Sequence, residues 1–375
     1  MQKLSMPLLM PTACFIAGCL LAGAWDIHII VPLITMLIGG ILFLWRGWSV
    51  ALLIFALGVG GVRVSVSDIK IQHTTIISEF ENINSVAQHR LDDLQLSPRA
   101  RALARAMVLG DKEGLTSAQR WEYGLSGASH VLAVSGLHIS IIFLLLNILL
   151  MPIAALPRGH IIKNLVIVVL IWGYGGIVGF SPSVVRSAVM FSLFQVAWVV
   201  GRPYSGMNAL LFAVLVGVAI APDMLYSVGF QLSVVGVASI FLWGLPLYYR
   251  FFGGGGALVS TLCIGFGCAV ATMPIVSHAF GYVPLLGVVL SPLFILCTFI
   301  IVSCGVVWIV LPIGVFAPIV RFVVEVSAML LDNSARWVAQ QEWGAVEWRA
   351  SGVYILLIYL VYIVITMLVW LKKDE

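Results

Sequence analysis

Residues 162–180 read Ile162-Lys163-Asn164-Leu165-Val166-Ile167-Val168-Val169-Leu170-Ile171-Trp172-Gly173-Tyr174-Gly175-Gly176-Ile177-Val178-Gly179-Phe180. Beyond Lys163 and Asn164 no charged or amide side chain interrupts the run. A hydrocarbon core about 30 Å thick is crossed by roughly 20 helical residues, so this stretch suffices to span it. It does not alternate polar and apolar residues as a barrel strand would, and in lipid a helix satisfies its backbone groups within itself. Comparable runs recur at about 7–25, 28–45, 48–64, 130–156, 184–200, 206–221, 224–244, 257–280 and from 351 onward. With 61% apolar and only 10% charged residues, the chain excludes an ordinary soluble domain. The expected fold class is therefore an all-α polytopic integral membrane protein, a helical bundle of roughly 10–12 membrane segments with external and interfacial amphipathic helices.

The net charge of +4 is small, and the positive residues gather in short loops. By the positive-inside rule Lys3, Arg46, Arg158, Lys163, Arg202, Arg250 and Lys372 mark the cytoplasmic side, with Ser181-Pro182 and Pro222-Asp223 opposite. All six cysteines lie in apolar runs without a CxxC pair, which reads as core packing. Ile16-Ala17-Gly18-Cys19 resembles a lipoprotein cleavage box, but apolar residues continue to Trp25, so the segment is taken as a membrane helix.

The expected organisation is 1–64 as N-terminal membrane helices, 65–127 as an external amphipathic helical segment, 128–317 as the membrane core, 318–350 as an interfacial amphipathic helix and 351–375 as a C-terminal membrane helix. Within 65–127, Ile76, Phe80, Ile83, Ala87 and Leu94 recur at helical spacing, for a helix against the membrane or the bundle. Ser97-Pro98 starts a helix that Gly110 stops, and Thr116 with Gln119 forms a capping box for another that Gly124 ends. Residues 283–316 are too long for one span and carry Pro284, Pro292 and Pro312. The expectation there is two short helices or a re-entrant element plus a span, and Lys372-Lys373 favours a hairpin, which returns the C-terminus to the cytoplasm.

The most unusual stretch runs from Leu125 to Ser140 and places His130, His138 and four serines, Ser135 before Gly136 among them, at the mouth of a span. Small residues let helices approach, and Ser and His supply hydrogen bonds that lipid cannot. Both interhelical glue and a pore or gate lining fit. Arg186 lies one turn into the span opened by Ser181-Pro182-Ser183, so it either faces water, a partner or a polar substrate, or snorkels to the headgroups. Asn208, Gln231 and Ser233, with Asn147 and Gln195, are further polar candidates inside spans. There is no GxxxxGK[ST], HExxH or HxHxDH, so no P-loop and no hydrolytic metal site is expected. His130 and His138 are eight apart, about 80° around a helix, a poor arrangement for shared ligation. Two alternatives remain: an intramembrane serine protease with Ser135 or Ser129 as nucleophile and His138 or His278 as base, and a transporter of a small polar solute built on proline-broken spans.

Several motifs in order then resemble the competence domain of the ComEC family. They are Leu109-Gly110-Asp111-Lys112, Ser129-His130-Val131-Leu132-Ala133-Val134-Ser135-Gly136-Leu137-His138, Ser181-Pro182-Ser183-Val184-Val185-Arg186, Arg202, Asn208, Pro222, Gly229-Phe230-Gln231-Leu232-Ser233, Pro274, Phe280-Gly281 and Pro284. Together they cover roughly residues 100–300. The resemblance implies a cytoplasmic-membrane channel for single-stranded DNA in natural transformation. It makes His130, Ser135, Gly136, His138, Ser183, Arg186, Asn208, Gln231 and Ser233 the channel or gate candidates. Implied partners are single-stranded DNA, membrane lipid, a DNA receptor, a cytoplasmic motor ATPase, a separate nuclease and a second copy of the chain, with no cofactor. Longer relatives carry an OB-like domain, which 65–127 is too short and too helical to hold, and many end in a metallo-β-lactamase-like domain, which is expected to be absent here.

Overall fold

The structure is a computed structural model that describes residues 7–25, 31, 34–38, 54, 56–60, 75–253 and 256–371. The expected spans at 28–45 and 48–64, the loop at Arg46 and the final Lys372-Lys373 lie wholly or mostly outside the described residues.

The described chain is a multi-pass helical bundle. Its helices are α1 Leu9–Trp25, α2 Thr75–Asp92, α3 Pro98–Leu109, α4 Ser117–Leu125, the single turn α5 Ser129–Leu132, α6 Gly136–Leu149 and α7 Gly159–Ile177. There follow α8 Pro182–Val200, α9 Gly206–Ile220, α10 Val228–Phe252, α11 Ala257–Phe280, α12 Gly287–Val310, α13 Ala317–Ala339 and α14 Gly352–Leu371. The α10 helix widens into a π turn at Ile240–Gly244. Six helices among the described residues are long and apolar enough to cross a membrane: α7, α8, α10, α11, α12 and Gly314–Ala339. Parts of α1, α6, α9 and α14 add four shorter apolar helices.

Two expected spans come out differently. The run at 130–156 is not one helix: Ala133 and Ser135 are extended, so α5 and α6 are separate, and Met151–Ala155 closes the run as a 3-10 turn. Nor do residues 283–316 fold as a hairpin, because 287–310 form the one 24-residue helix α12. Proline removes a donor and normally breaks a helix. Here Pro292 lies in the second turn, and the Ser291 hydroxyl takes the Val288 carbonyl that Pro292 has no N–H to bond (2.7 Å). Pro284 lies before α12 and Pro312 after it. The stretch expected at the interface, 318–341, is α13, packed along α12 and of spanning length.

Residues 75–125 pack against the bundle. Gly110, at φ +77, ends α3 as expected, and Thr116 and Gln119 form the expected capping box at α4. Gly124, however, lies inside α4, and the left-handed turn is made by Gly127 at φ +76. Leu103, Met107 and Val108 of α3 are fully buried with Phe294 and Ile301 of α12 and Leu331 of α13 in the largest apolar core. Asn84 of α2 donates to Leu109 O (3.1 Å) and Ile177 O (2.7 Å), carbonyls left over at the ends of α3 and α7. One amide thus holds two helix ends at one level.

A second core joins α1, α9 and α10 through Phe15, Leu210 and Phe230, and a third joins α6, α7 and α8 through Ile139, Ile171 and Val184. One short antiparallel ribbon was not legible in the sequence: β1 Tyr282–Pro284 pairs with β2 Ala345–Glu347, Val283 opposite Val346.

Candidate functional site

The break between α5 and α6 creates the centre of the site. Ser135 is the N-cap of α6, and His138 takes the third helical position that Glu or Gln fills in a usual capping box. The Ser135 backbone N–H donates to His138 Nδ1 (3.2 Å), and the Ser135 Oγ is 3.1 Å from the same nitrogen. A backbone N–H can only donate, so Nδ1 is the acceptor and the neutral ring carries its proton on Nε2. The ring is fully buried. This pair gives the nucleophile-and-base alternative its hydrogen bond, but in the form of a helix cap between a partly buried serine and a buried ring. His278, the other candidate base, is committed to the Ala350 carbonyl (2.8 Å).

The first turns of α8 lean on this break. Ser183 Oγ donates to Val134 O (3.1 Å), and Ser187 Oγ donates to Ser183 O (2.8 Å). Arg186 is only 4% exposed. Its Nη1 donates to the Ser233 carbonyl on α10, and its Nη2 to Ser187 Oγ (3.3 Å). The guanidinium lies directly over the start of α6, since a Cβ added at Gly136 would fall 3.0 Å from Arg186 Nη2 and 2.9 Å from Ser187 Oγ. A methyl at 136 would therefore have to displace the ends of these two side chains. Ion pairs among the described residues are Arg99–Asp332, Arg105–Asp92, Arg105–Asp111, Arg336–Glu122 and Arg336–Asp332, and none includes Arg186. Its Nε is buried with no hydrogen-bond partner among the described residues.

Of the nine candidates, the structure thus brings together Ser135, Gly136, His138, Ser183 and Arg186, with Ser233 joining through its carbonyl. The other three lie elsewhere. His130 is exposed on α5, its Nδ1 paired with Gly127 O (2.9 Å). Gln231 is two residues from Ser233, about 200° around the helix, and so faces away. It donates to Leu225 O (2.8 Å) and lines a separate apolar cavity of about 350 Å³ with His278 and Tyr359. Asn208 is in the first turn of α9, antiparallel to α8 across a short loop, and so lies at the end of α8 remote from Arg186. The sequence reading missed Ser187, which is four residues after Ser183 and shares its helical face.

A family model described as "Competence protein" matches residues 107–373. An "Uncharacterized protein" of Aquifex aeolicus (strain VF5) is 27% identical over 219 residues, which is 58% of this chain and 49% of that relative. The chain thus matches about half the length of that relative. No solved structure matches.

Proposed function

The chain belongs to the competence protein family, and from that membership we propose that it is the cytoplasmic-membrane channel through which a single DNA strand is taken up. The observation that carries this reading is the polar junction of α6, α8 and α10, where a charged group is buried between helices with no counter-charge among the described residues. Each nucleotide brings a phosphate charge, so a strand needs a polar route between helices. Passage independent of sequence calls for modest positive potential rather than base readout. Tight binding would be a defect in a conduit, and a single guanidinium at the junction accords with that need.

In this reading the motor that draws the strand inward and the receptor that delivers it are separate proteins. Arg158, Lys163, Arg202 and Arg250 face the cytoplasm. The segment at Asn84 then faces outward, because it is tied to the end of α7 opposite Lys163. Deleting the gene and following labelled DNA tests the role. DNA should still reach the envelope but no longer the cytoplasm, and undiminished arrival in the cytoplasm would refute it.

A further inference from the structure

We propose that Arg186 and the first turn of α6 form a seat for one phosphodiester group of the DNA strand, an inference that rests on the channel role above. Two helix N-termini meet here. The α6 helix has 14 residues and begins at Gly136, and α8 has 19 and carries Arg186 in its second turn. Each N-terminus presents the positive end of a helix dipole, although Pro182 has no N–H and the Val184 and Val185 N–H groups already donate to Ser181 O. The arginine adds a full positive charge against Gly136, where either dipole alone would favour an anion.

For folding alone this arrangement is costly. A buried charge without a partner destabilises the fold, and an apolar residue of similar volume would serve packing better. The guanidinium has five N–H donors in a planar fork, and among the described residues only Nη1 and Nη2 find partners, leaving Nε–H without an acceptor there although the residue is 4% exposed. What completes such a group is a ligand with several acceptor oxygens and negative charge, the chemistry of a phosphodiester. A seat built from one arginine and helix ends reads no base and holds one phosphate at a time.

The test uses the purified full chain in phosphatidylcholine nanodiscs, a fluorescent oligothymidylate as probe and inorganic phosphate as competitor at constant ionic strength. Arg186→Gln should weaken oligothymidylate binding about tenfold. It should also reduce the slope of log K against log salt by about 0.7, the share of one phosphate contact on a single strand. Arg186→Lys should keep the slope while losing part of the affinity, and Lys112→Gln should change neither. Inorganic phosphate should compete on the wild-type chain. Unchanged affinity and slope in a folded Arg186→Gln protein would overturn the seat while leaving the channel role standing. Absence of any oligothymidylate binding by the wild-type chain would remove both. If Arg186→Gln does not fold, failure of phosphate to compete on the wild-type chain overturns the proposal by itself. A phospholipid seen by native mass spectrometry on the wild-type chain and lost from Arg186→Gln, with oligothymidylate binding intact, would reassign the seat to lipid and so also overturn it.

Discussion

Asp332 on α13 and Arg186 on α8 are almost equally buried, 5% and 4% exposed, yet their surroundings are opposite. Asp332 accepts from Arg99 on α3 (2.6 Å) and from Arg336 one turn along its own helix (2.8 Å), and Arg336 also approaches Glu122 on α4 (3.9 Å). That cluster ties α3 and α4 to α13 by ion pairs within the chain, although Asp332 Oδ1 and Glu122 Oε2 are buried with no hydrogen-bond partner among the described residues. Among the described residues Arg186 finds only a carbonyl and a hydroxyl, with no counter-charge. A buried charge with its counter-charge among the described residues belongs to the scaffold, and one without it points to something that comes and goes.

The comparison is tested hardest by substituting both residues. Arg186→Leu should reduce DNA arrival in the cytoplasm to background while leaving the melting temperature unchanged or higher, because an uncompensated charge has been removed. Asp332→Asn should do the reverse, lowering stability by about 2–3 kcal/mol in thermal unfolding, because it strips the counter-charge from two arginines that are themselves partly exposed. If Arg186→Leu melts as early as Asp332→Asn, both are scaffold and the distinction is void.

Gly136→Ala sharpens the same contrast without changing any charge. The new methyl would press on Arg186 Nη2 and Ser187 Oγ at 3.0 and 2.9 Å, so the guanidinium must shift. The expected cost is about 1–3 kcal/mol of overpacking, with a fall in DNA arrival larger than the loss of folded protein explains. Asn84→Ala acts on the scaffold side: two carbonyls lose a donor, for about 1–2 kcal/mol in unfolding experiments and uptake lowered only in proportion to protein level. The smallest effect is expected at His138. His138→Gln should keep the cap and near-normal transport, whereas His138→Ala should lose about 1 kcal/mol. Loss of transport in a stable His138→Gln protein would assign the ring a part beyond capping.

Much of the fold was legible because lipid imposes long apolar runs. The run at 257–280 is α11 to the residue, and local chemistry at Pro98, Gly110, Thr116 and Gln119 marked the helix ends there. The break at Ala133–Ser135 was not legible, since alanine and valine suit extended chain and helix alike and leave no mark in an apolar run. Pro292 misled because its effect depends on what becomes of one carbonyl, a contact rather than a composition. In the site, Arg186 was visible as a charge in a span. That Gln231 and Ser233 cannot share a face follows from helix geometry, which the ordered motifs obscured. The two-stranded ribbon has three residues a side, too few for any periodic signal.

That ribbon has a consequence for how the protein is made. The strand at Tyr282–Pro284 leaves the ribosome about sixty residues before its partner at Ala345–Glu347, an interval of several seconds at ~5–20 residues per second. During that interval α12 and α13 emerge with the anchor for their shared base still unsynthesised. A premature stop anywhere before residue 345 therefore leaves the Gly281–Pro284 edge without its partner. The nascent chain can close this clasp only after both α12 and α13 have been made.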